Sequence, residues 1–215
     1  MRFGVLGTGQ VGRTLADKLI ALGDEVCLGS RTADNEAATA WAAGAGDRAS
    51  HGTFSDAARF GELVLNCTPG QHSVAIVAGV ADQLAGKVLL DLANPLDFSG
   101  GFPPRLSVCN DDSLGEQIQR AAPAVRVVKS LNTVAASVMV EPARVPGEHD
   151  VFVCGDDDGA KAAVAGLLAR FGWSAPVDLG GIEMSRGVEM WLPLWVRLYG
   201  SLGTDAFNLK IVRAT

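Results

Sequence analysis

Short, nearly unbroken apolar runs alternate along this chain with longer alanine-rich stretches in which apolar residues recur at helical spacing. The runs over 2–6, 25–29, 63–67, 88–91, 125–129 and 150–154 predict strands buried on both faces, because a strand with one wet face would alternate apolar and polar positions. The stretches over 11–22, 35–43, 73–84, 114–121 and 159–171 predict helices. This β-α-β-α order predicts an α/β fold: a Rossmann-type, doubly wound parallel sheet covered by helices. The longest loop-like stretch, 94–113, follows a strand and so falls on the edge where such sheets bind ligands. After Gly180 the pattern changes. "IEMSRGVEMWLPLWVRLYGSLGT" predicts one long helix, or two broken at Pro193, forming a small C-terminal helical cap. On this reading residues 1–124 form the Rossmann domain, and 125–215 complete the sheet and cap its cleft.

Composition narrows the partners. Eighteen basic residues stand against 24 acidic ones in 215, a net charge of −6. There is no basic block of the kind that grips a phosphate backbone, so nucleic acid is not expected. Cys27, Cys67, Cys109 and Cys154 form no C-x-x-C pair and have no histidine at metal-ligand spacing, which suits a reducing compartment and no metal. The opening "MRFGVLG" has no signal-like apolar region, and no apolar run approaches the ~20 residues that span a bilayer. A cytoplasmic protein without membrane contact is expected. Asp156-Asp157-Asp158 resembles a cation site, but directly before a helix such residues serve better as an N-terminal cap.

The first strand runs into Gly7-Thr8-Gly9-Gln10-Val11-Gly12, which opens the first helix. A lone G-x-G-x-x-G is weak. Between a strand and a helix it is the dinucleotide fingerprint: Gly7 for the tight turn, Gly9 for close approach of a pyrophosphate, Gly12 for helix packing. The second strand ends about 20 residues further on, where an NAD site usually carries a carboxylate for the ribose hydroxyls. Here stand Ser30-Arg31-Thr32. A guanidinium fork and two hydroxyls match a 2′-phosphate, which a carboxylate would repel, so NADP(H) is the expected cofactor.

The segments "GTGQVG", "LGSRT", "CTPGQH", "LLDLANPL", "VVKSLNTVAA", "VFVCGDDDGAK", "SRGVEMWLPL" and "FNLKIV" run nearly the whole length. Together they resemble the coenzyme F420-dependent NADP oxidoreductases and, more loosely, the reductase domain of the six-transmembrane ferric reductases. The S-R-x-x-E-x-x-x-P-L pattern of Ser185, Arg186, Glu189, Pro193 and Leu194 is one of the more specific pieces. The resemblance implies that residues 8–11 hold the pyrophosphate and that Ser30 and Arg31 hold the 2′-phosphate. It places Gly70 and Val74 by the nicotinamide ribose, with Thr68 and Pro69 in the same motif. Leu96 and the backbone of Ala136 close around the ring, with Asn94 and Pro95 adjoining. It also implies a deazaflavin between the Rossmann domain and the C-terminal helices, near Asn132, Leu192 and Phe207. Hydride would pass directly between stacked rings, so no side chain is required as acid or base. Asn132 stands where the family has histidine, Leu192 where it has threonine, and Phe207-Asn208 where it has Leu-Gly.

Several residues keep two readings. His72 either touches a ribose or phosphate, or caps the next helix; Asn132 either bonds the acceptor or caps a helix. The stripe of Trp191, Trp195, Leu198 and Tyr199 is read as core or dimer packing, with a homodimer expected. The expected function is hydride transfer between NADP(H) and a small ring acceptor, foremost coenzyme F420. Reduction of a flavin or another small molecule, and NADP-responsive binding without catalysis, stay as alternatives.

Overall fold

A computed structural model describes residues 1–214. The chain opens with strand β1 (Arg2–Leu6), helix α1 (Gln10–Ala21), β2 (Glu25–Ser30), α2 (Glu36–Ala45), β3 (Ala49–Thr53) and α3 (Phe54–Phe60). Next come β4 (Leu63–Asn66), α4 (Gly70–Gly79), α5 (Ala81–Leu84) and β5 (Val88–Asp91). A small hairpin, β6 (Leu96–Asp97) with β7 (Arg105–Leu106), leads to α6 (Leu114–Ala121), β8 (Arg126–Ser130) and α7 (Ala136–Val140). The chain then forms β9 (Phe152–Cys154), α8 (Asp158–Phe171), β10 (Val177–Asp178), α9 (Ser185–Met190) and α10 (Leu192–Leu202).

Eight strands make one sheet in the order β10-β9-β8-β5-β4-β1-β2-β3. The apolar runs resolve into two interleaved sets. Phe3, Val5, Leu63, Leu65, Val88, Leu90 and Val128 face one helix layer, with residues of α1, α7 and α8. Leu6, Val64, Leu89 and Val127 face the other, with residues of α3, α4 and α6. Strands sandwiched this way have no wet face, which is why their sequences do not alternate.

The expected all-parallel sheet needs one correction. β9 runs antiparallel to β8, with Lys129 opposite Cys154 and Ser130 opposite Val153, and β10 pairs parallel to β9. Residues 131–151, which include α7, connect the two strands, and nothing in the apolar run of β9 marks its direction. The apolar pattern did not anticipate β3, α3, the β6–β7 hairpin, α7 or β10. β3, "ASHGT", is an edge strand whose side chains are mostly half-exposed, so it carries no apolar run. α3 is a seven-residue helix started by a Thr53–Asp56 capping box. The helix expected over 73–84 is two, α4 and α5, parted at Val80. The C-terminal pair is broken as Pro193 required: α9 and α10 meet at Trp191, with the proline in the first turn of α10.

Candidate functional site

Two adjoining cavities of about 630 and 350 Å³ lie along the C-terminal edge of the parallel strands and share Gly9, Cys67, Thr68 and Pro69. Gly7, Thr8, Ser30 and Arg31 line the larger one. Gln10, Val11, Gly70, Asn94 and Leu96 line the smaller. Gly7 turns the chain at φ +116, and a Cβ there would meet the Cys67 carbonyl oxygen at 2.7 Å. At Gly9 a Cβ would meet nothing within 4 Å, so its missing side chain leaves room in the cavity and not in the fold. Gly12 is buried in α1, where a Cβ would fall 2.2 Å from the Gly7 carbonyl oxygen, so it serves the loop's packing on the helix.

Helix capping marks the same edge. α2, α3, α6 and α8 are each closed by a side chain, from Asn35, Thr53, Ser113 and Asp157. α1 and α4 have no side-chain cap, and both point their N-termini into the smaller cavity. Two sets of free N–H groups with their partial positive charge suit one bridging anion. Asp157 is thus the cap of α8, Asp156 accepts from the Ile182 N–H at 2.8 Å, and Asp158 pairs with Lys161 at 3.1 Å.

At the far end of the larger cavity Arg31 is exposed, and no carboxylate of the described residues pairs with it. The Ser30 hydroxyl bonds the Thr32 carbonyl and also accepts from the Thr32 N–H at 3.3 Å. Thr32 therefore shapes the turn through its backbone and lines neither cavity. Asn35, Phe54, His72 and Ile76 join this wall. His72 lies within the first turn of α4, which starts at Gly70, so it is not a cap. Cys67 borders both cavities, but burial, with the charge of Asp91, pushes its thiol well above the ordinary range, which removes it as a nucleophile.

Of the other expected site residues, Gly70 lines the smaller cavity and the rest are set back from both. Gly70 is fixed by packing, since a Cβ would fall 2.0 Å from the Asn94 carbonyl oxygen. Val74 packs into the core, Pro95 is buried, and Ala136 opens α7 without lining either cavity. Asn132 is buried and commits both amide hydrogens, to Asn94 Oδ1 at 3.0 Å and the Val188 carbonyl at 3.1 Å, while Asn94 Nδ2 donates back to its carbonyl at 2.9 Å. It has no N–H left to offer an acceptor and it caps no helix. Leu192 is buried at the start of α10. Phe207 stacks on Trp195 at 5.3 Å, and Trp195 stacks on Tyr199 at 5.8 Å. The tail then docks on Asp150, whose carbonyl takes the Asn208 amide at 2.8 Å.

The least anticipated feature lies beneath the smaller cavity. Asn66 and Asp91 end their strands, Lys129 is the last residue but one of its own, and the three stand opposite one another in register. All three are fully buried. Lys129 Nζ contacts Asp91 Oδ2 and Glu189 Oε1 of α9, each at 2.8 Å, and donates to the Ala93 carbonyl. Burial disfavours the ammonium, but the two carboxylates outweigh it and hold the Lys129 pKa above the ordinary lysine value. Asp91 Oδ1 accepts from Asn66 Nδ2 at 2.8 Å and the Ala93 N–H at 3.2 Å. Asn66 Oδ1 in turn accepts from the Thr68 hydroxyl at 2.6 Å. The available sequence signal was a polar residue closing each apolar run: "LVLN", "VLLD" and "RVVK".

The S-R-x-x-E segment docks the cap. Glu189 accepts the N–H groups of Leu114 and Gly115 at 2.8 and 3.0 Å, filling the N-terminus of α6. Arg186 grips Glu116 with two bonds, at 2.8 and 2.6 Å. Ser185 lies so close to Gly115 that a Cβ there would fall 2.5 Å from its hydroxyl.

Residues 2–95 match the family described as "NADP oxidoreductase coenzyme F420-dependent". The F420-dependent NADP reductase of Methanocaldococcus jannaschii is 31% identical over 162 residues, 73% of this chain and 72% of that protein. The chain belongs to the coenzyme F420-dependent NADP oxidoreductase family. It is an NADP-dependent oxidoreductase. A crystal structure of a protein described as an F420-dependent NADP-reductase, from Arthrobacter sp. FB24, superposes with a TM-score of 0.94 at 50% identity, covering 99% of this chain and all of that one. Metalloreductase STEAP3 of Rattus norvegicus is 30% identical over 198 residues; the match takes in 90% of this chain but spans only 38% of STEAP3. No helix among the described residues is long and apolar enough to cross a membrane.

Proposed function

We propose that the paired cavities bind NADP(H) along their length and that hydride passes to a planar ring acceptor, foremost coenzyme F420, at the smaller cavity. The observation that carries this reading is the polarity of the cleft: Arg31 at one end, two uncapped helix N-termini in the middle, and the apolar side chains of Leu92, Leu96 and Phe98 at the other. The cavity left open at Gly9 fits a pyrophosphate held by residues 8–11 and the N–H groups of α1. Arg31 and Ser30 take the 2′-phosphate, and Asn35, Phe54 and Ile76 border the adenosine half. Thr68, Gly70, Asn94 and Leu96 border the nicotinamide half.

When bound, the reduced nicotinamide supplies the hydride. The chain's part is to orient the two rings and exclude water, which needs no acid or base side chain. The names of the Methanocaldococcus jannaschii and Arthrobacter relatives support F420 as the acceptor. The test is anaerobic oxidation of NADPH by the purified protein with F420, FMN, FAD or a ferric chelate. Bleaching at the deazaflavin band with the others inert supports the reading. Turnover with FMN or ferric chelate alone would replace F420, and tight NADPH binding with no turnover would leave a binding protein.

A further inference from the structure

We propose that Asp91, Lys129 and Glu189 are positioning residues for the nicotinamide half of the cofactor, an inference that rests on the cleft being the NADP(H) site. One connected set of bonds fixes three things. It holds Ala93 from both sides, with Asp91 accepting its N–H and Lys129 donating to its carbonyl. It holds Thr68 through Asn66, which accepts from both the Thr68 hydroxyl and its N–H, the latter at 3.3 Å. And it holds α9 through Glu189. Ala93 and Thr68 are two walls of the smaller cavity. The position of those walls and the docking of the C-terminal helices are therefore set by the same buried charges.

Stability alone does not account for such a triad. Moving three charges out of water carries a large desolvation penalty, and well-packed apolar replacements of buried ion pairs often match or exceed their stability. What ionic groups supply is a unique geometry, because each lone pair and N–H has one satisfied arrangement. Backbone strain sits next to the triad: Leu131, buried and two residues beyond Lys129, takes φ +61, a conformation that side chains rarely adopt. It turns the chain so that Asn132 reaches Asn94, another wall of the same cavity.

The adenosine end is anchored by residues remote from the triad, so the two halves of the cofactor are separable by measurement. Calorimetry with NADPH and with adenosine 2′,5′-bisphosphate, which lacks the nicotinamide, gives the ratio of their affinities. Asp91→Asn keeps the shape and leaves Lys129 paired with Glu189. It is expected to bind the bisphosphate within twofold of wild type but to lose at least tenfold of the NADPH advantage. The emission of bound NADPH is expected to move toward that of the free dinucleotide. A neutral triple variant, Asp91→Asn, Lys129→Met and Glu189→Gln, is expected to fold and to show the same split. A folded variant with wild-type ratio and emission overturns the proposal and leaves the triad structural. Wild-type protein that binds neither ligand overturns the cofactor reading along with it.

Discussion

At the scale of single residues, the glycines of the cleft divide into those that the fold requires and one, Gly9, that it does not. A Cβ at Gly7, Gly12 or Gly70 collides with backbone, whereas at Gly9 it enters open space. Gly9→Val is therefore expected to yield a folded protein, by circular dichroism, that no longer binds NADPH; wild-type affinity would make the loop purely structural. Arg31→Ala is expected to weaken NADPH at least tenfold, about 1.4 kcal/mol, and to leave NADH nearly unchanged. Equal losses for both cofactors by calorimetry would remove the 2′-phosphate argument. These positions were legible because a glycine turn and a strand-end arginine are local signals. Asp91, Lys129 and Glu189 were not, because their meaning appears only when two adjacent strands and a helix distant in sequence bring them within 2.8 Å.

At the scale of elements, the S-R-x-x-E segment docks a helix. Arg186 on Glu116 and Glu189 on the α6 N-terminus fasten α9 to the Rossmann layer. The bonds from Arg186, helped by that from Ser113 and opposed by burial, hold the Glu116 carboxyl below the ordinary glutamate range. A lowered folded pKa means the contribution is complete above the unfolded value of about 4.3 and is lost as pH falls through the folded one. Arg186→Met is therefore expected to lower stability at neutral pH by the small amount that a partly exposed ion pair contributes. The gap from wild type is expected to close in denaturant titrations below about pH 4. A gap independent of pH would assign the loss to packing of the arginine stem. The same scale explains what the apolar pattern read well and poorly. The central strands are apolar because both faces are covered. β3 is polar because it is an edge, and no residue type in the apolar pattern marks the reversal at β9.

At the scale of the whole molecule, the C-terminal helices and the β6–β7 hairpin both expose apolar side chains, and the two surfaces call for different partners. On α10, Leu194, Leu198 and Leu202 recur at four-residue spacing, with Leu194 and Leu202 exposed. A second copy of the chain is expected to cover that stripe, so light scattering should report a dimer that Leu194→Glu with Leu202→Glu disperses; a wild-type monomer at micromolar concentration would end this reading. The hairpin faces the cleft instead. Its base is tied to the smaller cavity's wall, with the Leu96 N–H on the Asn94 carbonyl at 2.8 Å and the Ser107 N–H on the Pro95 carbonyl at 2.8 Å. Phe98, at its outer end, lines that cavity yet is 59% exposed. An aromatic ring held at the mouth of a cavity presents a stacking face to whatever planar molecule enters, worth about 0.5–1.5 kcal/mol beyond the area it covers. Asn132 and Leu192 are closed to such a molecule, the first by its bonds and the second by burial, so on the proposed reading Phe98 is the side chain expected to discriminate among acceptors. Phe98→Ala is expected to raise the KM for F420 roughly three- to tenfold, the size that stacking energy implies, while the NADPH Kd stays within twofold and Phe98→Tyr restores the loss. Phe102, also exposed on the hairpin but outside the cavity lining, is the internal control. If Phe102→Ala raises KM as much as Phe98→Ala, the hairpin acts as a whole and not through its ring; if neither does, the acceptor enters elsewhere.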